Sequence, residues 1–109
     1  MSIDTNITIE LDEEGYLRNL DDWSPVIAQQ LADNEGITLS SDHWELIEVI
    51  RNFYTQFEHS PAMRPLVKAT AMQLGKDKGN SIHIMRLFPG SPAKLLAKVA
   101  GLPKPDNCL

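Results

Sequence analysis

The chain has 109 residues, 42% of them hydrophobic and 23% charged, with a formal net charge of −5 and a single cysteine. That length allows one domain and one modest core, and that composition folds rather than staying disordered. One thiol excludes an internal disulfide and a multi-thiolate metal site, and no apolar run approaches the ~20 residues that span a bilayer.

The opening stretch, "MSIDTNITIELDEEG", is acidic and lacks the basic-then-apolar order of a secretion signal. A cytoplasmic location, where thiols stay reduced, is the expectation. Ile7, Ile9 and Leu11 alternate with polar residues, the period of a half-buried strand. Asp12 to Gly15 supply a turn, with Gly15 suited to positive φ, and Tyr16 and Leu17 start a return strand. A β-hairpin over 6–18 is predicted, packed on a larger body because such a pair is marginal alone.

The remainder reads as helices. Ser24 followed by Pro25 is an N-cap and a first-turn proline, opening a helix that stops at Gly36. In "ITLSSDHWELIEVIRNFYTQF", Ser40 or Ser41 caps the clearest helix, and Asp42 and Glu45 favour its positive end. Trp44, Ile47, Ile50, Tyr54 and Phe57 recur at three- and four-residue steps beside Leu46 and Phe53, predicting a core stripe. In "SPAMRPLVKATAMQLG", Pro65 holds the regular helix to a start near Ala62 or distorts its first turn. Leu66, Val67, Ala69 and Met72 form its apolar side, and Gly75 ends it. A loop and a short helix over 80–87 follow. "SPAKLLAKVAG" is a second Ser-Pro start, stopped by Gly101. The expected fold class is mainly α with a small N-terminal β-hairpin (α+β), in one domain over 1–109. It divides into the hairpin (6–18), a helical body (24–100) and an extended C-terminal arm (101–109).

Charge is unevenly placed. Residues 1–58 hold two basic side chains against thirteen acidic ones, and residues 59–109 hold eight against two. Either the halves attract each other within the fold, or the basic half meets an anionic partner. The cysteine, Cys108, lies at the end of the basic half. Gly101 breaks the last helix, and Pro103 and Pro105 bias the arm toward an extended form. Measured from Gly101, the thiol has a reach of roughly 25 Å. Free cysteine titrates near ~8.5, so activation falls to nearby cations, with Lys104, Lys98, Lys94 and Arg86 as candidates. Asp106 and the carboxylate of Leu109 oppose them. An exposed, partly ionised thiolate suits exchange chemistry, taking a group from one sulfur and passing it to another. A persulfide is one such cargo.

His43, His59 and His83 are widely spaced and form no metal-ligand pattern. His43, in a first turn, is read as a solvated or capping residue. His83 is read as a packing residue, with a proton-partner role toward the arm as the sharper alternative.

The end "AGLPKPDNCL" resembles that of the DsrC/TusE family of sulfur-carrier proteins. So do "EGYL", "NEGITLSSDHWELIEVIRNFY", "SPAMRPLVKA" and "KGNSIHIMRLFPGSPAK", in order and over nearly the whole chain. The resemblance implies an orthogonal helical bundle, similar to helix-turn-helix domains. Two-cysteine members carry a second cysteine eleven positions before the penultimate one, where this chain has Ala97. That implies the single-cysteine TusE branch. Its role is to take persulfide sulfur from a TusBCD-like relay complex and deliver it to an MnmA-like tRNA 2-thiouridylase, without a cofactor. By that resemblance Cys108 is the catalytic, persulfide-bearing residue. Gly101, Pro103, Lys104, Pro105, Arg86, Lys94 and Lys98 are expected to support the arm and its docking. The family departure is "DNC", which places Asp106 close to the thiol. Two alternatives stay open. One is a DsrC-like interaction or regulatory protein that relays no sulfur. The other is a helix-turn-helix nucleic-acid binder using Arg64, Lys68, Lys76, Lys78 and Arg86, although sequence-specific DNA reading is not expected of so acidic a chain.

Overall fold

Residues 9–106 are described by a computed structural model. A 3-10 turn, Leu20–Asp22, leads into α1 (Pro25–Asn34), α2 (Ser41–Phe57), α3 (Met63–Leu74), α4 (Ser81–Leu87) and α5 (Pro92–Val99). Caps fix where these helices begin. The Ser24 hydroxyl accepts the Ile27 N–H at 3.3 Å, with Pro25 in the first turn of α1. Ser40 and His43 form a reciprocal box at α2: Ser40 Oγ accepts the His43 N–H, and His43 Nδ1 accepts the Ser40 N–H at 3.1 Å. Asn80 caps α4 by accepting the His83 N–H at 2.9 Å. Pro65 lies in the first turn of α3, where its missing N–H leaves no intrahelical bond unmade.

α2 is the central element, packed against α3, α4 and α5, while α1 lies against α5. Leu46, Ile47 and Ile50 of α2 meet Leu66, Ile84, Phe88, Leu96 and Val99 in one core. Full burial of each such side chain contributes on the order of 1.5–3 kcal/mol. Leu17, Ile27 and Leu31 form a second, smaller cluster under the N-terminal segment. The α3–α4 approach depends on Gly79, where a Cβ would stand 2.2 Å from Ala71 Cα.

The apolar stripes predicted for α2 and α3 extend too far. Phe57 is 50% exposed and Met72 is 78% exposed. Both obey helical periodicity, yet they lie where α2 and α3 border a groove that the described residues do not fill.

The predicted N-terminal β-hairpin is overturned. Among the described residues there is no strand, only one antiparallel bridge between Leu11 and Leu17; Ile7 lies outside them. Asp12 explains the difference. Its carboxylate accepts the N–H groups of Glu14 and Tyr16, each at 2.9 Å. Those bonds hold the Asp12 carboxyl below its ordinary value, the one from Tyr16 most strongly. The resulting turn is tight, and Asn19 then caps the 3-10 turn at Leu20, so the return segment ends before a strand can form. Tyr16 and Leu17 are buried instead as core residues. Among the described residues the fold is therefore mainly α, with no strand.

The charge polarity is used inside the fold. Lys78 pairs with Glu45 at 2.6 Å and Asp42 at 3.6 Å, Lys98 with Glu35 at 3.2 Å, and Lys104 with Glu14 at 2.9 Å. Each of these pairs joins the basic half to the acidic half. Among the described residues, no helix is long and apolar enough to cross a membrane.

Candidate functional site at the root of the arm

The arm begins where α5 ends. Gly101 takes φ +72°, its N–H bonds the Lys98 carbonyl at 3.1 Å, and the Leu102 N–H bonds the Ala97 carbonyl at 2.9 Å. This pairing closes the last turn and sends the chain off sharply, with a buried Leu102 as its hydrophobic anchor. Gly36 ends α1 by the same pattern, at the same φ.

Two side chains far away in sequence clamp this turn. A Cβ on Gly101 would fall 2.2 Å from Trp23 Cδ1, so the indole occupies the space that only glycine leaves. Trp23 Nε1–H donates to the Val99 carbonyl at 3.0 Å. The Arg51 guanidinium lies 3.8 Å over the Trp23 ring and donates to the Ala100 carbonyl at 2.6 Å. Burial pushes the Arg51 pKa down from its ordinary value, but a guanidinium stays charged in proteins. Arg51 therefore joins a cation–π contact to a charge-assisted hydrogen bond, and together with the indole it fixes the exit.

Further along, the Ser60 hydroxyl donates to the Pro103 carbonyl, and Lys104 Nζ meets Glu14. Pro105 is buried. The segment 101–105 is thus held on the body, against the expectation of an arm extended from Gly101 onward. Cys108 lies outside the described residues. In sequence it follows Pro105 by three residues. Beside the anchor, Glu58, His59, Ser60, Pro103, Lys104 and Asp106 line a cleft of about 200 Å³.

Gly101, Pro103, Lys104 and Pro105 are therefore brought together at one site. Lys94 and Lys98 lie elsewhere, on an open cleft of about 270 Å³ shared with Glu14, Tyr16 and Glu35. Lys98 is engaged there by Glu35. Arg86 is exposed on α4. Ala97, which the family resemblance aligns with a second cysteine, is fully buried. His43 is not solvated: it is buried, its Nδ1 serves the α2 cap, and its Nε2 pairs with the Leu87 carbonyl at 2.9 Å. The His83 Nε2 is buried without a partner among the described residues, and His83 does not line the arm cleft. His59 does. Trp23, Arg51, Ser60 and Glu14 had no local signal, because their partners lie more than forty positions away.

A family model described as "DsrC like protein" matches residues 4–109. The chain belongs to the DsrC-like family. Relatives named "Sulfurtransferase TusE" from Yersinia pseudotuberculosis and Escherichia coli K12 are each 52% identical over 101 residues. That is 93% of this chain and 94% and 93% of theirs. The solution structure of Allochromatium vinosum DsrC is 42% identical with a TM-score of 0.86, covering 100% of this chain and 96% of that one. The oxidised γ-subunit of dissimilatory sulfite reductase from Archaeoglobus fulgidus is 34% identical with a TM-score of 0.80, covering 93% and 92%. Identity and coverage on this scale support the same activity class here, a sulfurtransferase acting as a sulfur carrier.

Proposed function

We propose that the protein carries sulfur as a persulfide on Cys108 and works in the cytoplasm, between a TusBCD-like donor complex and an MnmA-like tRNA 2-thiouridylase. The Cys108 thiolate attacks the outer sulfur of a donor persulfide. A new S–S bond forms at Cys108, the donor S–S bond breaks, and the donor leaves as a thiolate. In the second step an acceptor thiolate attacks the outer sulfur on Cys108 and releases the Cys108 thiolate. Each step exchanges one S–S bond for another, so neither a cofactor nor an outside oxidant is needed.

The observation that carries this reading is the clamped exit. Trp23, Arg51, Ser60 and Glu14, drawn from separate regions of the chain, all fix the short segment that leads to its single thiol. A tail without a role would not require four tertiary ties. Gly101 permits the turn, Pro103 and Pro105 stiffen the segment beyond it, and Lys104 aims that segment by its tie to Glu14. Arg86 and Lys94, which join none of the ion pairs among the described residues, are assigned to docking. Lys98 is assigned to the same docking face, where it pairs with Glu35 and lies over the Tyr16 ring.

The test is intact-protein mass spectrometry after incubation with a persulfide donor. The wild-type chain gains the mass of one sulfur atom and Cys108→Ala gains none. Equal gain by both would refute the carrier role of Cys108.

A further inference from the structure

Phe57 and Met72, the two large apolar side chains that the core fails to cover on α2 and α3, line a single groove. Phe53, Gln56, Pro65, Lys68, Ala69 and Gln73 complete its walls, and the space is about 540 Å³, within the roughly 300–1,000 Å³ range of clefts that accept ligands. The α3 wall runs from Pro65 to Gln73, about 12 Å at ~1.5 Å per residue, or two turns of a helix. Its side chains recur at three- and four-residue spacing, the relief into which an amphipathic helix places its i, i+3/i+4 and i+7 anchors.

The ends of the groove differ. At one end Asn52 Nδ2 donates to Gln73 Oε1 at 3.2 Å and closes it. At the other, the His59 ring packs at 5.5 Å from Phe53 and 6.4 Å from Phe57, and the same His59 lines the cleft at the root of the arm. The groove therefore leads to the place from which the chain continues toward Cys108. Its rim is basic. Arg64 and Lys68 are exposed on α3, a helix with no acidic residue. Neither joins any ion pair among the described residues, in contrast to Lys78, Lys98 and Lys104.

We propose that this groove docks an acidic amphipathic helix of a sulfur-relay protein that exchanges sulfur with Cys108, a reading that rests on the carrier function above. Nucleic acid is a poorer fit, because Lys68 is the single cation among the described residues that line the groove. A second copy is a poorer fit as well: two-fold self-pairing would bring two copies of the same cationic, acid-free helix into one interface.

The experiment uses the full-length protein, Met72→Glu and Lys68→Glu. Both positions are solvent-exposed, so the fold tolerates the changes. Kd is measured by fluorescence anisotropy for the TusBCD-like complex and for the MnmA-like thiouridylase, and Cys108 loading is measured separately with glutathione persulfide. The expected result is a Kd about tenfold weaker or more for at least one protein partner in both variants, with the Lys68→Glu effect shrinking as salt rises. Loading from the small donor needs no docking and stays at the wild-type level. Unchanged Kd for both proteins overturns the proposal. So does a Met72→Glu change that turns a dimer into a monomer in sedimentation, or one that weakens only tRNA binding. Failure of the wild-type chain to load sinks the carrier reading instead, and the Kd values still decide whether the groove docks a partner.

Discussion

Gly101→Ala tests the clamp at the root of the arm. Two penalties meet at this position. The first is conformational: φ is +72°, and a side chain held in the left-handed region costs on the order of 1–2 kcal/mol. The second is steric. The new Cβ would lie 2.2 Å from Trp23 Cδ1 and 2.6 Å from Cγ, and overpacking of this kind costs about 1–3 kcal/mol. Trp23 has no easy retreat, because moving it breaks the Nε1–Val99 bond and unstacks Arg51. The sum is roughly 2–5 kcal/mol, a drop of on the order of 10 °C or more in Tm for a domain of this size. Gly36→Ala supplies the internal control. Its φ is also +72°, but nothing stands within 4 Å of the added Cβ, so only the conformational part, about 1–2 kcal/mol, applies. Urea unfolding followed by tryptophan fluorescence measures both. Equal losses in the two variants would refute the steric role given to Trp23, and a loss below about 0.5 kcal/mol at Gly101 would refute the clamp itself.

Arg51→Leu removes the charged donor from the Ala100 carbonyl and the cation over Trp23. A loss of about 2–3 kcal/mol in urea unfolding is expected, together with faster hydrogen exchange at the Gly101 and Leu102 amides. Lys104→Glu places a carboxylate beside Glu14 and should slow sulfur transfer between protein partners; adding Glu14→Lys should restore the rate if the pair aims the arm, which stopped-flow transfer assays would read. Asp12 gives a pH signature. Its folded pKa lies below the ordinary 3.8 because the N–H of Tyr16 bonds the ionised form. Its contribution is therefore present above about 3.8 and lost as pH falls through the lower, folded value. The stability difference between wild type and Asp12→Asn should shrink across that acid range in urea titrations, and a difference constant with pH would contradict the assignment.

The features legible in the sequence were mostly local. Ser24–Pro25, Ser40 and the glycines at 36, 75 and 101 mark helix ends through bonds spanning a few residues, and those ends fall where the local chemistry puts them. Alternation at Ile9 and Leu11 was misleading, because strand periodicity says nothing of whether a partner strand exists. Asp12 closes the turn and Asn19 starts a 3-10 turn too soon for one to form. Periodicity likewise assigned Phe57 and Met72 to the core, since it identifies a helix face but not how far the neighbouring elements reach. The arm is the clearest case. Two prolines and a glycine do predict a stiff departure from α5. Its anchoring by Ser60, Glu14, Trp23 and Arg51 is a property of tertiary packing, and nothing in the residues beside Gly101 announces it. The proposed role of the thiol joins the family's terminal motif, legible in the sequence, to this clamp, which is not.

The most direct measurement tracks one sulfur atom. Full-length protein loaded with labelled sulfur and freed of donor is mixed with the MnmA-like thiouridylase, tRNA, ATP to activate the uridine oxygen and a thiol reductant, and both Cys108 and the wobble uridine are read by mass spectrometry. If Cys108 carries the sulfur, label leaves it as labelled 2-thiouridine appears, at matching rates, and Cys108→Ser supports neither event. Thiouridine formation at the wild-type rate with Cys108→Ser, or label that stays on Cys108 while the tRNA is thiolated, would contradict it.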